Sequence, residues 1–242
     1  MYGWRARLGI LVPSGNIVTE PEFMRVVPEG VSCHFHRFLF TGGGRDEDVL
    51  SDARSATEHI VEVSRLITHV RPSVIAMTGT AVTFIDGHGY DRMIIDKIQQ
   101  VHGNLPVTTT STSVIDALNT LGVKRVSIAM PYIEEVARAA VKFVESNGIE
   151  VVDAKWLNYK GFEIHSILGD EICRLARDVD KPESDALFIS CTSLHTLDII
   201  EKLEAELGKP VITSNQATIW NTLRLAGIGD KIQGFGRLLS QH

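Results

Sequence analysis

The stretch LFISCTSLHTLDII, residues 187–200, sets Cys191 between an apolar run and the start of a helical pattern. A thiol has an ordinary pKa of about 8.5, so at neutral pH it is a proton donor and, once ionised, a nucleophile. Its place at the end of a strand, inside SCTS, gives Cys191 a functional reading. The other two cysteines have plainer settings. Cys33 lies in VSCHFHRF, where alternation predicts a strand and the two histidines read as its polar face, not as a metal pair. Cys173 falls on the buried periodicity of GDEICRLARDV, as a small core residue. Three cysteines without Cys-x-x-Cys spacing predict neither a zinc site nor a disulfide framework, and no metal is expected. His195 follows Cys191 by four residues, a spacing that allows contact on a helix. A close imidazole would favour thiolate, whereas His195 is expected to face solvent or pack locally.

The elements that must carry Cys191 follow from periodicity. Strands are predicted at 8–12, 33–40, 73–77, 106–110, 125–130, 150–157, 186–190 and 210–214, with helices between them, including 52–70, 132–148 and 197–208. This alternation predicts parallel sheets covered by helices on both faces. Landmarks recur in order. ILVPSGN around Pro13 matches IAMPYIE around Pro131, MTGTAVTF matches ISCTSLHT with Gly79 opposite Cys191, and LPVTTTS matches KPVITSN. The expected fold is therefore α/β, with two Rossmann-like half-domains, each with a four-stranded parallel sheet, related by a pseudo-twofold. Residues 1–115 with 220–242 form one half and 116–219 the other. The active site is expected between them, where the loops PSGN, TGTAVT, PYIE and CTSL meet. These loops offer hydroxyls and N–H groups at helix starts, which favour an anion such as a carboxylate. Taken singly, Thr80 and Thr83 also read as helix caps, Tyr132 as the first residue of a helix, and Ser14 and Asn16 as turn formers.

Composition narrows the partners. A net charge of −6 without a long basic run argues against nucleic acid. With hydrophobic residues at 44% and charged ones at 22%, a sizeable core is expected. The first apolar stretch is too short for a signal segment or a membrane span, so a cytoplasmic protein acting on a small molecule is expected, as monomer or homo-oligomer. TGGGR, residues 41–45, is not followed by the Lys-Ser/Thr of a phosphate loop and reads as a mobile loop or lid near the crevice.

Several segments carry a family resemblance: GTAVTFIDG, LPVTTTSTSVIDALNTLGVKRVSIAMPYIEEV, SCTSLHTLDII and TIWNTLRLAGIGDKIQGFGRLL. Together they resemble the aspartate/glutamate racemase superfamily and, within it, the arylmalonate decarboxylases. VPSGN and TSNQATIW are similar to the maleate isomerases. Racemases of this superfamily carry one cysteine in each half. Here Gly79 holds the first position and only Cys191 remains, which is the decarboxylase pattern. The resemblance implies loss of a carboxyl group from an aryl- or alkenyl-malonate type diacid without a cofactor, through an enediolate that Cys191 protonates. It further implies Thr80 and Tyr132 as catalytic residues, with the N–H groups of Ala81, Cys191 and Thr192 as donors. Pro13, Ser14, Asn16, Gly79, Ala81, Val82 and Thr192 would line the substrate. Ala81 stands where those enzymes have serine, Thr192 where they have glycine, and His195 where they have an apolar residue. An isomerase or racemase of small dicarboxylates is the second reading, and a non-catalytic carboxylate-binding protein the third.

Overall fold

Eight short runs, most of them rich in Val, Ile, Leu and Ala, pair into two parallel four-stranded sheets in the computed structural model of the chain, which describes residues 2–40, 42 and 48–242. The first sheet holds β1 (Ala6–Pro13), β2 (Val31–Phe38), β3 (Val74–Met77) and β4 (Val107–Thr109), in the order β2-β1-β3-β4. The second holds β5 (Arg125–Met130), β6 (Glu150–Trp156), β7 (Ala186–Ile189) and β8 (Val211–Thr213), in the order β6-β5-β7-β8. Every predicted strand is present, and the second sheet repeats the first strand for strand. The repeat extends to single hydrogen bonds. Thr78 N–H donates to Leu11 O at 2.8 Å and Ser190 N–H to Ala129 O at 2.9 Å. Ile75 N–H donates to Pro106 O at 2.9 Å and Leu187 N–H to Pro210 O at 3.0 Å. Strands β3 and β7 are buried along their whole length, as parallel strands covered on both faces should be.

The helices are α1 (Thr19–Val26), α2 (Val49–Glu58), α3 (Ile60–Ile67), α4 (Thr80–Phe84), α5 (Tyr90–His102) and α6 (Thr110–Thr120) in the first part of the chain. They continue as α7 (Glu134–Ser146), α8 (Gly169–Val179), α9 (Ile200–Leu207), α10 (Ser214–Leu225) and α11 (Arg237–Gln241). The single helix expected over 52–70 is instead α2, α3 and a 3₁₀ turn, Thr68–Val70. The break falls at His59, whose ring Nδ1 lies 3.1 Å from the carbonyl of Ser55, four residues back, and engages an oxygen of the helical ladder. A further 3₁₀ helix, Gly161–Ser166, has no counterpart in the periodicity reading and forms one wall of the site. The 41–45 loop lies, apart from Gly42, outside the described residues. No described helix is long and apolar enough to cross a membrane.

Two matching helices join the halves. α6 and α10 follow β4 and β8, each opened by a threonine cap: Thr109 Oγ1 accepts from Thr112 N–H, and Thr213 Oγ1 from Gln216 N–H. They pack on each other, α6 also against β8 and α10 also against β3 and β4, so each reaches the opposite sheet. Thr218 Oγ1 donates to Thr110 Oγ1 at 3.1 Å across this contact.

Candidate active site

The ends of β1, β3, β5 and β7 converge on one cavity of about 80 Å³. Pro13, Asn16, Gly79, Thr80, Ala81, Tyr132, Cys191 and Thr192 all line it. Thr80, Tyr132 and Cys191, far apart in sequence, are thus brought together. Ser14 and Val82 are not among the lining residues. The Ser14 hydroxyl donates to Phe40 O at 3.2 Å and faces solvent, while Val82 is fully buried beneath Gly79.

Cys191 and Gly79 each stand two residues after their strand, β7 and β3, with φ of 123° and 107°. Glycine adopts this region freely; a cysteine there carries strain of about 1–3 kcal/mol and needs neighbours to hold it. Those neighbours are present. The Cys191 N–H donates to Ser214 Oγ at 3.0 Å, and Ser193 N–H donates to Cys191 Sγ at 3.4 Å. The same Ser214 oxygen accepts from Thr80 Oγ1 at 2.9 Å, so one buried hydroxyl joins the acid-bearing loop of one half to the threonine of the other. The Cys191 N–H, expected as a donor to substrate, is thereby engaged within the protein. At Gly79 an added Cβ would fall 2.7 Å from Val82 Cγ1 and 3.1 Å from Pro13 Cγ, so the position opposite Cys191 has no room for a side chain as packed.

Burial pushes the Cys191 thiol above its ordinary pKa, partly offset by hydrogen bonds from Ser193, so the protonated form is favoured. Burial, reinforced by the adjacent Cys191 sulfur, holds the Tyr132 phenol well above its usual range, so it remains a neutral donor. Its hydroxyl lies 3.2 Å from Ser190 Oγ and its ring packs edge-on against Phe84 of α4 at 6.2 Å, locking it across the crevice. His195 is exposed, as expected.

Asn16 is buried, and its amide is spent on the protein. Nδ2 lies 3.1 Å from Thr192 O and 3.2 Å from Ser193 Oγ, and Oδ1 accepts from Val18 N–H and Thr19 N–H at 2.8 Å. It caps α1 and fixes the loop after Cys191. Behind it, buried Glu22 accepts from Thr196 N–H, Leu197 N–H and Asn215 Nδ2 at 3.0, 3.2 and 2.7 Å. Periodicity alone did not single out Ser214, Ser190 or Glu22, because their partners are brought by other strands. Nor did it single out Tyr159, Lys160, Phe162 and His165, which form the outer wall of the cavity. Phe162 seats on Gly15 so closely that a Cβ there would lie 2.1 Å from its ring.

Comparisons with known proteins agree with this fold. A family model described as arylmalonate decarboxylase matches residues 8–239. Arylmalonate decarboxylase of Bordetella bronchiseptica is 28% identical over 239 residues, covering 97% of this chain and 96% of the relative. Maleate isomerase of Nocardia farcinica is 26% identical over 243 residues, covering 97% and 96%. Among solved structures, a liganded double variant of arylmalonate decarboxylase, glycine to cysteine and cysteine to serine, superposes with a TM-score of 0.89 at 26% identity, covering 98% of this chain and all of that one (100%).

Proposed function

We propose, from the premise that the chain belongs to the arylmalonate decarboxylase family, that it is a decarboxylase of malonate-type diacids in which Cys191 is the acid. The observation that carries this reading is the lone thiol of the cavity, with Gly79 at the matching position of the other half. Of the two carboxylates on one carbon, one leaves as carbon dioxide. The electron pair of the broken C–C bond passes into the remaining carboxylate, giving an enediolate dianion. Thr80, Tyr132 and the N–H groups of Ala81 and Thr192 are the donors that meet this charge, and loss of one such donor typically costs about 2.7–4 kcal/mol of barrier. The Cys191 S–H proton then goes to the α-carbon, leaving a monocarboxylate and a thiolate that takes a proton from water. All of these groups belong to the chain itself.

A buried thiol held as S–H suits this role better than that of a nucleophile. The test is release of carbon dioxide from phenylmalonate. Wild type should release it, and Cys191→Ser, whose hydroxyl is a far weaker acid, should not, although it still binds the product acid. Retention of most of the activity by Cys191→Ser would remove Cys191 from the mechanism.

The second reading, an isomerase of small dicarboxylates, is favoured by the size of the cavity. About 80 Å³ is well below the roughly 150 Å³ of an apolar cavity that admits benzene, and closer to the needs of a four-carbon acid. Conversion of maleate to fumarate, followed by its proton spectrum, distinguishes the two.

A further inference from the structure

The cavity has two unlike sides. The inner side is the hydroxyl-lined group of strand ends. The outer wall is the 159–165 segment, which presents Tyr159, Lys160, Phe162 and His165 to the same space. Phe162 lies over Gly15 and 6.1 Å from the His165 ring, so the wall is closed against the first half by a direct ring-on-glycine contact. Within this wall, two basic groups have no acidic partner. Among the described residues, neither Lys160 nor His165 is ion-paired with a carboxylate, and no carboxylate lines the cavity. Among the described residues twelve Lys and Arg side chains are ion-paired, and Lys160 and His165, which line the cavity, are not. Apolar neighbours Ile133, Val136 and Ile164 give them no acceptor. An aryl arm would leave both bases desolvated and unsatisfied, whereas an anionic arm would satisfy both.

We infer that the outer wall recognises a carboxylate on the distal arm of the substrate through Lys160 and His165. The substrate class is then a malonate bearing a further carboxylate, not an arylmalonate. The inference rests on the decarboxylase reading for the malonate head but not for the arm. Burial, then the charge of His195, disfavours protonation of the His165 imidazole in the empty site, so it waits as a neutral N–H donor or takes a proton as the anion arrives.

The experiment compares (carboxymethyl)malonate with phenylmalonate. Carbon dioxide release and ligand-induced thermal stabilisation are measured for wild type, His165→Leu, His165→Gln and Lys160→Met. Wild type should show a KM for (carboxymethyl)malonate about tenfold or more below that for phenylmalonate. His165→Leu and Lys160→Met should each shrink that ratio severalfold, mainly through KM, while His165→Gln, which keeps an N–H, should preserve most of it. A wild-type preference for phenylmalonate overturns the inference, as does a ratio left unchanged by His165→Leu and Lys160→Met. If neither acid releases carbon dioxide, the decarboxylase reading fails by itself. The stabilisation ratios across the same variants then decide the distal carboxylate.

Discussion

At the scale of single residues, the site turns on Ser214, which accepts from both Cys191 N–H and Thr80 Oγ1. With both of these bonds in place, Thr80 points its proton away from the cavity. For Thr80 to donate to an enediolate, the pair must reverse, with Ser214 donating to Thr80. Ser214→Ala should remove this relay and leave the Cys191 N–H buried and unpaired, lowering stability by about 1–3 kcal/mol. The kcat should fall about a hundredfold, as for a mispositioned reacting group, with a smaller change in KM. Steady-state kinetics and thermal melts check this, and a kcat within twofold of wild type would remove the relay. The thiol itself predicts a pH profile. A donor is active while it holds its proton and fails as pH rises through its pKa, which burial places above the ordinary thiol value. The rate of decarboxylation should therefore stay level through neutrality and fall only on the far alkaline side. An alkaline loss near neutral pH would mean that Cys191 is not buried as a thiol during turnover. Cys191 was legible in the sequence because a cysteine ending a strand is conspicuous. Ser214 was not, because a serine after a threonine cap is chemically silent until β7 and α4 are packed beside it.

At the scale of elements, the short loops after the strands are held by buried polar bridges as well as by their own hydrogen bonds. Glu22 of α1 ties the chain before α9 through Thr196 and Leu197, and ties Asn215 of α10, which itself donates to Thr192 O at 3.0 Å. Glu22→Ala should strand these donors and cost at least about 2 kcal/mol, read from denaturant unfolding. Its carboxyl is raised above its ordinary 4.5, by burial first, against the lowering effect of those hydrogen bonds. A raised carboxyl stabilises the folded state while protonated, and that contribution is lost as pH rises through the folded pKa. Glu22→Gln should therefore flatten the stability profile from pH 4.5 upward. An unchanged slope would show that the bridge has no titrating member. The inner strands were legible as runs of β-branched and apolar residues, and the half-buried edge strand β2 by its alternation. The 3₁₀ helix Gly161–Ser166 was not, since six residues are too few to show a period, and with it the wall bearing Phe162 and His165 was missed.

At the scale of the whole molecule, duplication explains why a site exists between two halves that repeat each other strand for strand. A pseudo-twofold brings like strand ends face to face, and a ligand bound there meets two related loops, with Gly79 of one opposite Cys191 of the other. Such a site is useful only if the halves keep a fixed relation, and α6 and α10 supply it. Each helix leaves its own sheet and packs on the other helix and on the opposite sheet. Asn221 Nδ2 of α10 lies 3.2 Å from Thr108 Oγ1 and 3.1 Å from Asp116 Oδ2, across the same seam. Loss of either half would expose the apolar faces and buried hydroxyls of this contact, so neither half should melt alone. The chain should unfold in one transition, with calorimetric and van't Hoff enthalpies equal. Trp220 is buried in α10 and Trp156 half-buried in β6, so Trp220→Phe and Trp156→Phe variants report fluorescence from different parts of the molecule. Both should share one midpoint with far-ultraviolet dichroism and with exposure of Cys191 to a thiol reagent. Two separated midpoints would mean that each sheet folds as its own unit, and that the geometry between Thr80 and Cys191 is set by the ligand rather than by the helices.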